Sequence, residues 1–218
     1  MAIIYPSLIA ADVLNLQKEI ETLDTHCQGY HLDVMDYHFV PNLTCGPLFI
    51  NAIARITYKQ LWVHLMMDNP ENFIDMLTLA PKTIVNFHVE LEGQRSRLIK
   101  KIAEKGWLPG IAVSPKTDIE KVFPFLDRIH QVLVMSVEPG FSGQEFQPNS
   151  IEKVEKLVGY RQTSGLDFKI GMDGGIDENN IAMLAEKGVE HFGIGSGIFK
   201  ADNPVEQLKK LQDLAKES

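Results

Sequence analysis

The sequence has 218 residues, 44% apolar and 23% charged, with 21 Lys+Arg against 29 Asp+Glu and a formal net charge of −8. A chain of this length and apolar content buries roughly 70–75% of its unfolded surface, which excludes disorder as its main state. The acidic balance, with no basic run longer than the pair Lys100-Lys101, excludes general nucleic-acid binding, which needs a basic stripe. The two cysteines, Cys27 and Cys45, lack C-x-x-C spacing and read as reduced cytosolic thiols rather than a disulfide framework. The opening segment has no basic run and is interrupted by Pro6 and Asp12, so it does not read as a signal peptide. No stretch approaches the ~20 apolar residues of a membrane span. The expectation is a cytoplasmic protein without membrane or nucleic-acid partners.

In chain order, a short apolar run at 3–7 leads to a helical pattern over 12–26, where Leu14, Leu16, Ile20 and Leu23 share a face and Asp12 can cap. A second run at 30–34 precedes a helix at 47–56. A third at 61–66 precedes one at 69–79, with Asn69 as cap and Pro70 at the first helical position. The fourth pair is 83–88 and 94–105, the helix ending before Gly106. The remaining pairs are 108–113 with 118–126, 131–136 with 150–162, 168–173 with 177–187, and 190–195 with 203–215. Several of the strand runs are apolar throughout, as parallel strands covered on both faces are. Eight β→α units in strict order use the whole length, 1–218, as one domain and predict a single (β/α)8 barrel (TIM barrel), with an open eight-stranded sheet as the alternative.

In such a barrel the chemistry lies at the C-terminal ends of the strands. Those ends read Ser7, His31-Leu32-Asp33, His64, His88, Ser136, Asp173 and Gly195-Ser196. Isolated, each His reads best as a satisfied core residue and each Asp as a cap. Together, His31 and Asp33, two apart on one strand and therefore on one face, form with His64 and Asp173 a candidate site for one divalent metal ion. Mixed nitrogen and oxygen ligands suit Zn, Fe, Mn or Co better than Ca or Mg. His88 and Glu90 repeat the two-residue spacing; Glu90 could fix a ligand imidazole from behind or simply bond neighbouring loops. The segments Pro139-Gly140-Phe141-Ser142-Gly143-Gln144, Gly174-Gly175 and Gly195-Ser196-Gly197 would let backbone N–H groups approach an anion, although glycine clusters are commonly just turns. Met35, Met66 and Met135 fall at or near strand ends, where they fill core or cover a reacting carbon.

These residues together resemble the ribulose-phosphate 3-epimerase family. The resemblance rests on Pro6-Ser7, the run from His31 through Asp36 and on to His38-Phe39-Val40-Pro41-Asn42, and Val63-His64-Leu65-Met66. It continues through Phe87-His88-Val89-Glu90, Met135 to Phe141 with Gly143-Gln144, Asp173-Gly174-Gly175-Ile176, and Gly195-Ser196 before Ile198-Phe199. The resemblance implies a (β/α)8 barrel that interconverts D-ribulose 5-phosphate and D-xylulose 5-phosphate in the pentose phosphate pathway. It implies His31, Asp33, His64 and Asp173 as metal ligands, with Asp33 and Asp173 as the acid/base pair on opposite faces of an enediolate. Ser7 and His64 would touch substrate, as would Gly140, Phe141, Ser142 and Gly143, Asp173 to Gly175, and Gly195-Ser196, the glycine segments holding the phosphate. Met35, Met66 and Met135 would pack near the intermediate. The partner is then a small phosphorylated ketose, and the family's habit implies a homo-oligomer.

Departures from the family pattern are Tyr37 for Gly, Ala10 for Ser, Ser142 for Gly and Gly197 for Ala. Tyr37 and the loop after it are where preference for a hexulose phosphate such as D-allulose 6-phosphate would lie. A related decarboxylase would carry Asp-x-Lys-x-x-Asp, whereas Asp33 is followed by Val34-Met35-Asp36. A non-catalytic sugar-phosphate binder is the third reading, opposed by the presence of both aspartates and both metal histidines.

Overall fold

The computed structural model describes residues 2–216. They form eight strands: β1 (Ile3–Pro6), β2 (Gly29–Met35), β3 (Gln60–Met66), β4 (Ile84–His88), β5 (Leu108–Val113), β6 (Gln131–Met135), β7 (Lys169–Asp173) and β8 (His191–Ile194). Each expected strand appears, with ends shifted by a residue or two. All seven neighbouring pairings are parallel, in the order β1-β8-β7-β6-β5-β4-β3-β2. The remaining edges, β1 and β2, meet through one parallel bridge, Ser7 to His31. The sheet therefore curls into a barrel, and the open-sheet alternative falls. Room for this seam comes from Gly29: a Cβ there would sit 2.7 Å from the Tyr5 ring and 2.2 Å from the Gln60 carbonyl oxygen. The Tyr5 ring lies across the seam, and its hydroxyl donates to Gln60 Oε1 at 2.7 Å.

Alternation along the strands separates two cores. Outward-facing residues such as Leu32, Val63, Val85, Ile111, Val132, Ile170 and Phe192 pack under the helices. Inward, Tyr5, Trp62, Ile84, Ala112, Leu133 and Met135 fill the barrel. Trp62 is fully buried, and Gly171 makes space for its ring, since a Cβ there would meet Trp62 at 3.0 Å.

The outer layer holds α1 (Leu16–Leu23), α2 (Pro47–Ile56), α3 (Pro70–Asp75), α4 (Arg95–Glu104), α5 (Ser150–Ser164), α6 (Ile181–Glu186), α7 (Ser196–Phe199) and α8 (Pro204–Leu214). Three corrections to the sequence expectation have local causes. The segment expected as a fifth helix is a 3-10 stretch, Ile119–Phe125, with Pro124 inside it; a residue without an N–H cannot continue an α-ladder. The first helix begins at Leu16 rather than 12, because Asp12 caps a separate 3-10 turn, Val13–Asn15, by accepting from the Leu14 N–H at 3.0 Å. The helix expected from 177 starts at Ile181, since Asn180 Oδ1 accepts from the Asp177 N–H and Asp177 Oδ1 from the Asn179 N–H first. Asn69 precedes α3 but makes no side-chain cap. Gly106 adopts φ +76° and ends the fourth helix as expected. The short α7, which follows β8 directly, puts Ser196 at its first position.

Candidate active site

Strand geometry brings His31, Asp33, His64 and Asp173 together, with one ligand atom from each lying within 4.8 Å of all the others. His31 and Asp33 project inward from β2, and His64 stands opposite Asp33 in the β2/β3 register. Asp173 ends β7 beside Gly193 of β8, where a Cβ would press to 2.7 Å from His31 Nδ1. Gly193 is thus the reason His31 fits; a glycine inside a strand was the available sign of a close approach.

The backbone ends of these strands are held by hydroxyls. Thr44 Oγ1 donates to the Asp33 carbonyl at 2.7 Å and accepts from the Met35 N–H at 3.0 Å. Ser136 Oγ lies 2.9 Å from the Asp173 carbonyl oxygen and 2.6 Å from that of Gly174. Around the carboxylate, Ser7 Oγ donates to Asp33 Oδ2 at 2.8 Å, while His64 Nδ1 faces Asp33 Oδ1 at 3.1 Å.

The two carboxyls differ in charge state. Burial opposes ionisation of Asp33, but the neighbouring His31 and the Ser7 hydroxyl are among the groups that hold its carboxyl down at about 2. Burial and the neighbouring Asp33 charge push Asp173 well above the usual carboxylate range. The two neighbouring carboxyls are therefore pushed in opposite directions, Asp33 toward the ionised form and Asp173 toward the protonated form. Burial lowers His31 to about 4, keeping it a neutral imidazole, the form that binds metals.

The donor set passes a test of fit for a metal ion. Both nitrogens of the fully buried His31 lack a hydrogen-bond partner, a costly state for a buried polar ring unless a further group engages it. Its ring lies nearly parallel to that of His64, 12° and 5.8 Å apart. Two imidazoles and two carboxyls in a closed, buried group suit a divalent ion of the mixed nitrogen/oxygen kind.

Above the cluster a small pocket of about 50 Å³ opens to solvent. Its lining includes the predicted residues Ser7, Asp33, Met35, Met66, Met135, Gly140, Phe141, Ser142, Gly143, Asp173, Gly174, Gly175, Gly195 and Ser196. His31 and His64 lie beneath it and do not line it. Met35 and Met66 pack with Val40 in a small buried cluster at the mouth. Lining residues outside the predicted site are Ile9, Val137, Glu138, Pro139, Gln144, Ile176, Gly193, Ile194 and Gly197; all but Glu138 and Gln144 are apolar or side-chain-free and carry no chemical signal in a sequence.

The glycine segments have steric reasons for their composition. Gly174 adopts φ +114° against Val137, and Gly175 adopts φ +62° where a Cβ would meet the Phe146 backbone at 2.5 Å. Gln144 Nε2 donates to the carbonyls of Glu138 and Phe141, closing the loop after β6 on itself. Asn42 Nδ2 reaches the Gly140 carbonyl at 2.6 Å, tying the loop after β2 to the loop after β6. Two departures noted in the sequence now have explanations. A Cβ at Gly197 would approach the Ile176 carbonyl oxygen to 2.8 Å, so glycine fits the closer packing here. Tyr37 adopts φ +64°, a left-handed conformation that favours glycine, while its N–H donates to the Asn42 carbonyl.

The fold and this cluster define a barrel enzyme with a candidate metal centre at the C-terminal ends of its strands. Among solved structures, KGPDC from Streptococcus mutans superposes with a TM-score of 0.72 at 13% identity, covering 99% of this chain and 98% of that one. Orotidine 5'-monophosphate decarboxylase from Sulfolobus solfataricus gives 0.67 at 10% identity, covering 100% and 99%. At such identities these matches speak for the fold alone. The profile of the ribulose-phosphate 3 epimerase family matches residues 3–199. The ribulose-phosphate 3-epimerase of Schizosaccharomyces pombe and the cytoplasmic isoform from Oryza sativa subsp. japonica are each 37% identical over 214 residues, covering 96% of this chain and 92% of the relative. The chain belongs to the ribulose-phosphate 3 epimerase family.

Proposed function

We propose that this chain is a divalent-metal-dependent epimerase that inverts C3 of D-ribulose 5-phosphate to give D-xylulose 5-phosphate. The observation that carries the reading is the Asp33/Asp173 pair, grouped with His31 and His64 and lining an open pocket, with the two carboxyls pushed in opposite directions. Epimerisation beside a ketone needs a base on one face of a planar enediolate and an acid on the other. Asp33 as carboxylate removes the C3 proton; Asp173 as acid delivers a proton to the opposite face, and the roles exchange in the reverse direction. Ser7, donating to Asp33 Oδ2, sets the orientation of the carboxylate. A divalent ion of the Zn, Fe, Mn or Co kind, held by His31, Asp33, His64 and Asp173, would polarise the C2 carbonyl and stabilise the developing charge as a Lewis acid.

Met35, Met66 and Met135 exclude water above the reacting carbon. The backbone of Gly140 to Gly143, with Gly174, Gly175, Gly195 and Ser196, takes the phosphate without a basic clamp. Length 1–218 serves as one domain, acts in the cytoplasm and assembles as a homo-oligomer, as the resemblance implies. Turnover of ribulose 5-phosphate and allulose 6-phosphate with each metal, together with exchange of the C3 hydrogen in deuterated water, tests the reading. Pentulose turnover with exchange supports it. Preference for the hexulose phosphate moves the substrate to the sister activity, and phosphate binding without exchange overturns catalysis.

A further inference from the structure

Behind His64 the cluster continues away from the pocket. His64 Nε2 lies 2.9 Å from His88 Nε2, and His88 Nδ1 lies 3.1 Å from Glu90 Oε2. Both histidines are fully buried. Glu90 Oε1 accepts from the Ser114 N–H at 3.0 Å, and Ser114 Oγ stands 3.3 Å from His88 Nδ1. The loop carrying Ser114 is itself anchored by Lys153 of α5, whose ammonium donates to the carbonyls of Ser114, Pro115 and Thr117.

Two nitrogens at 2.9 Å with no water between them require one donor and one acceptor, and the chain of contacts decides which is which. Glu90, engaged by a backbone N–H, is a carboxylate and can only accept. His88 must then carry its proton on Nδ1, which leaves Nε2 as a lone pair. His64 must donate from Nε2, which leaves its Nδ1 lone pair directed at Asp33 Oδ1, 3.1 Å away. A lone pair and a carboxylate oxygen at that separation repel unless a cation lies between them.

We propose that His88 and Glu90 are positioning residues: a carboxylate–imidazole–imidazole chain that locks His64 in the tautomer whose Nδ1 is free to bind the metal ion. Neither residue touches the substrate pocket. The chain explains why a half-buried carboxylate and a further buried histidine lie beside the group of four ligands without belonging to it. It rests on the metal reading of His31, Asp33, His64 and Asp173, and the experiment separates the two.

Purified full-length protein is stripped of metal and titrated with Co²⁺ in competition with a chelator, while imidazole ¹⁵N spectra report the tautomers. His88→Phe keeps a ring against Phe39, now 4.5 Å away, but removes the acceptor. It should weaken Co²⁺ binding about 10–100-fold, the usual effect of losing a partner behind a ligand, and His64 should lose its fixed Nε2–H signal. His88→Gln, whose amide oxygen can accept from His64 Nε2, should restore binding to within a few-fold of the parent. Glu90→Gln, at a less buried position, should release the Nδ1–H preference of His88 and weaken Co²⁺ binding by a smaller factor, giving a readout even if His88→Phe does not fold. Parent-like Co²⁺ affinity in both His88→Phe and Glu90→Gln, or equal losses in His88→Phe and His88→Gln, would overturn the proposal while leaving the metal site intact. A parent protein that takes up no Co²⁺ would overturn both.

Discussion

The two ends of the barrel interior are both polar and largely buried, yet they are built on different logic. Toward the N-terminal ends of the strands, Tyr5 donates to Gln60, Trp62 Nε1 donates to Asn86 Oδ1 at 2.6 Å, and Gln131 Nε2 pairs with His191 Nδ1 at 2.8 Å. These are neutral donors matched to neutral acceptors, and what remains over is a single amide atom on Asn86 and one on Gln131. Toward the C-terminal ends, two carboxyls crowd each other, an entire imidazole lacks hydrogen-bond partners, and a ring nitrogen faces a carboxylate. Buried polarity alone therefore does not mark a site. What marks it is a set of groups that cannot satisfy one another and are completed by something from outside.

The contrast makes quantitative predictions. Asp33→Asn keeps the shape of the upper end but removes its base, so turnover should fall by about 10²–10⁴ with the fold intact; steady-state kinetics beside circular dichroism checks this, and near-normal turnover would break the contrast. Stripping the metal should stop turnover and lower stability. Restoring a divalent ion at roughly 100 times its dissociation constant should return about 2.7 kcal/mol, read as a rise in thermal midpoint that the lower end cannot produce. Gln131→Leu leaves His191 Nδ1 without its donor and should cost about 1–3 kcal/mol in denaturant unfolding, with turnover unchanged.

The smallest effect concerns pH, where the two ends should behave alike. Burial holds His31, His88 and His191 down to about 4, against an ordinary value of 6.5. Between those values the unfolded chain binds more protons at these three positions, so their share of stability is complete above about 6.5 and is lost as pH falls toward about 4, while the raised Asp173 acts in the opposite sense, favouring the folded state less as pH rises. Asp33, held at about 2, adds stability that is lost only below the ordinary carboxylate value of 3.8. In metal-free protein His191→Gln should make the loss between 6.5 and 4 shallower; an unaltered slope would show that His191 is not buried neutral.

Much of this was legible in the sequence, for identifiable reasons. Strands buried on both faces announce themselves as apolar runs, and the two-residue spacing of His31 and Asp33 fixes their common face without a partner strand. Residues whose meaning depends on register between strands were not legible. That His88 would meet His64 through Nε2 follows from how β4 lies beside β3, and the bond from Asn42 to Gly140 joins loops far apart in the chain. Helix type was also hidden where local and periodic signals conflict, as in the 3-10 stretch containing Pro124. Tyr37 shows the opposite case: a residue conspicuous in the sequence whose left-handed backbone gives the physical content of the anomaly.

The bridge between Ser7 and His31 has a consequence for how the molecule comes into being. It is the stitch that completes the ring, and its two residues are also a hydroxyl on Asp33 and a member of the metal cluster. β1 finds its main partner in β8, near the far end of the chain, a pairing that long-range topology makes slow. Asp33 and Asp173 consequently acquire each other only when the circle shuts. A chain with its seam ajar would hold Asp173 away from His31, Asp33 and His64, so closing the barrel is a condition for the four-residue group to exist.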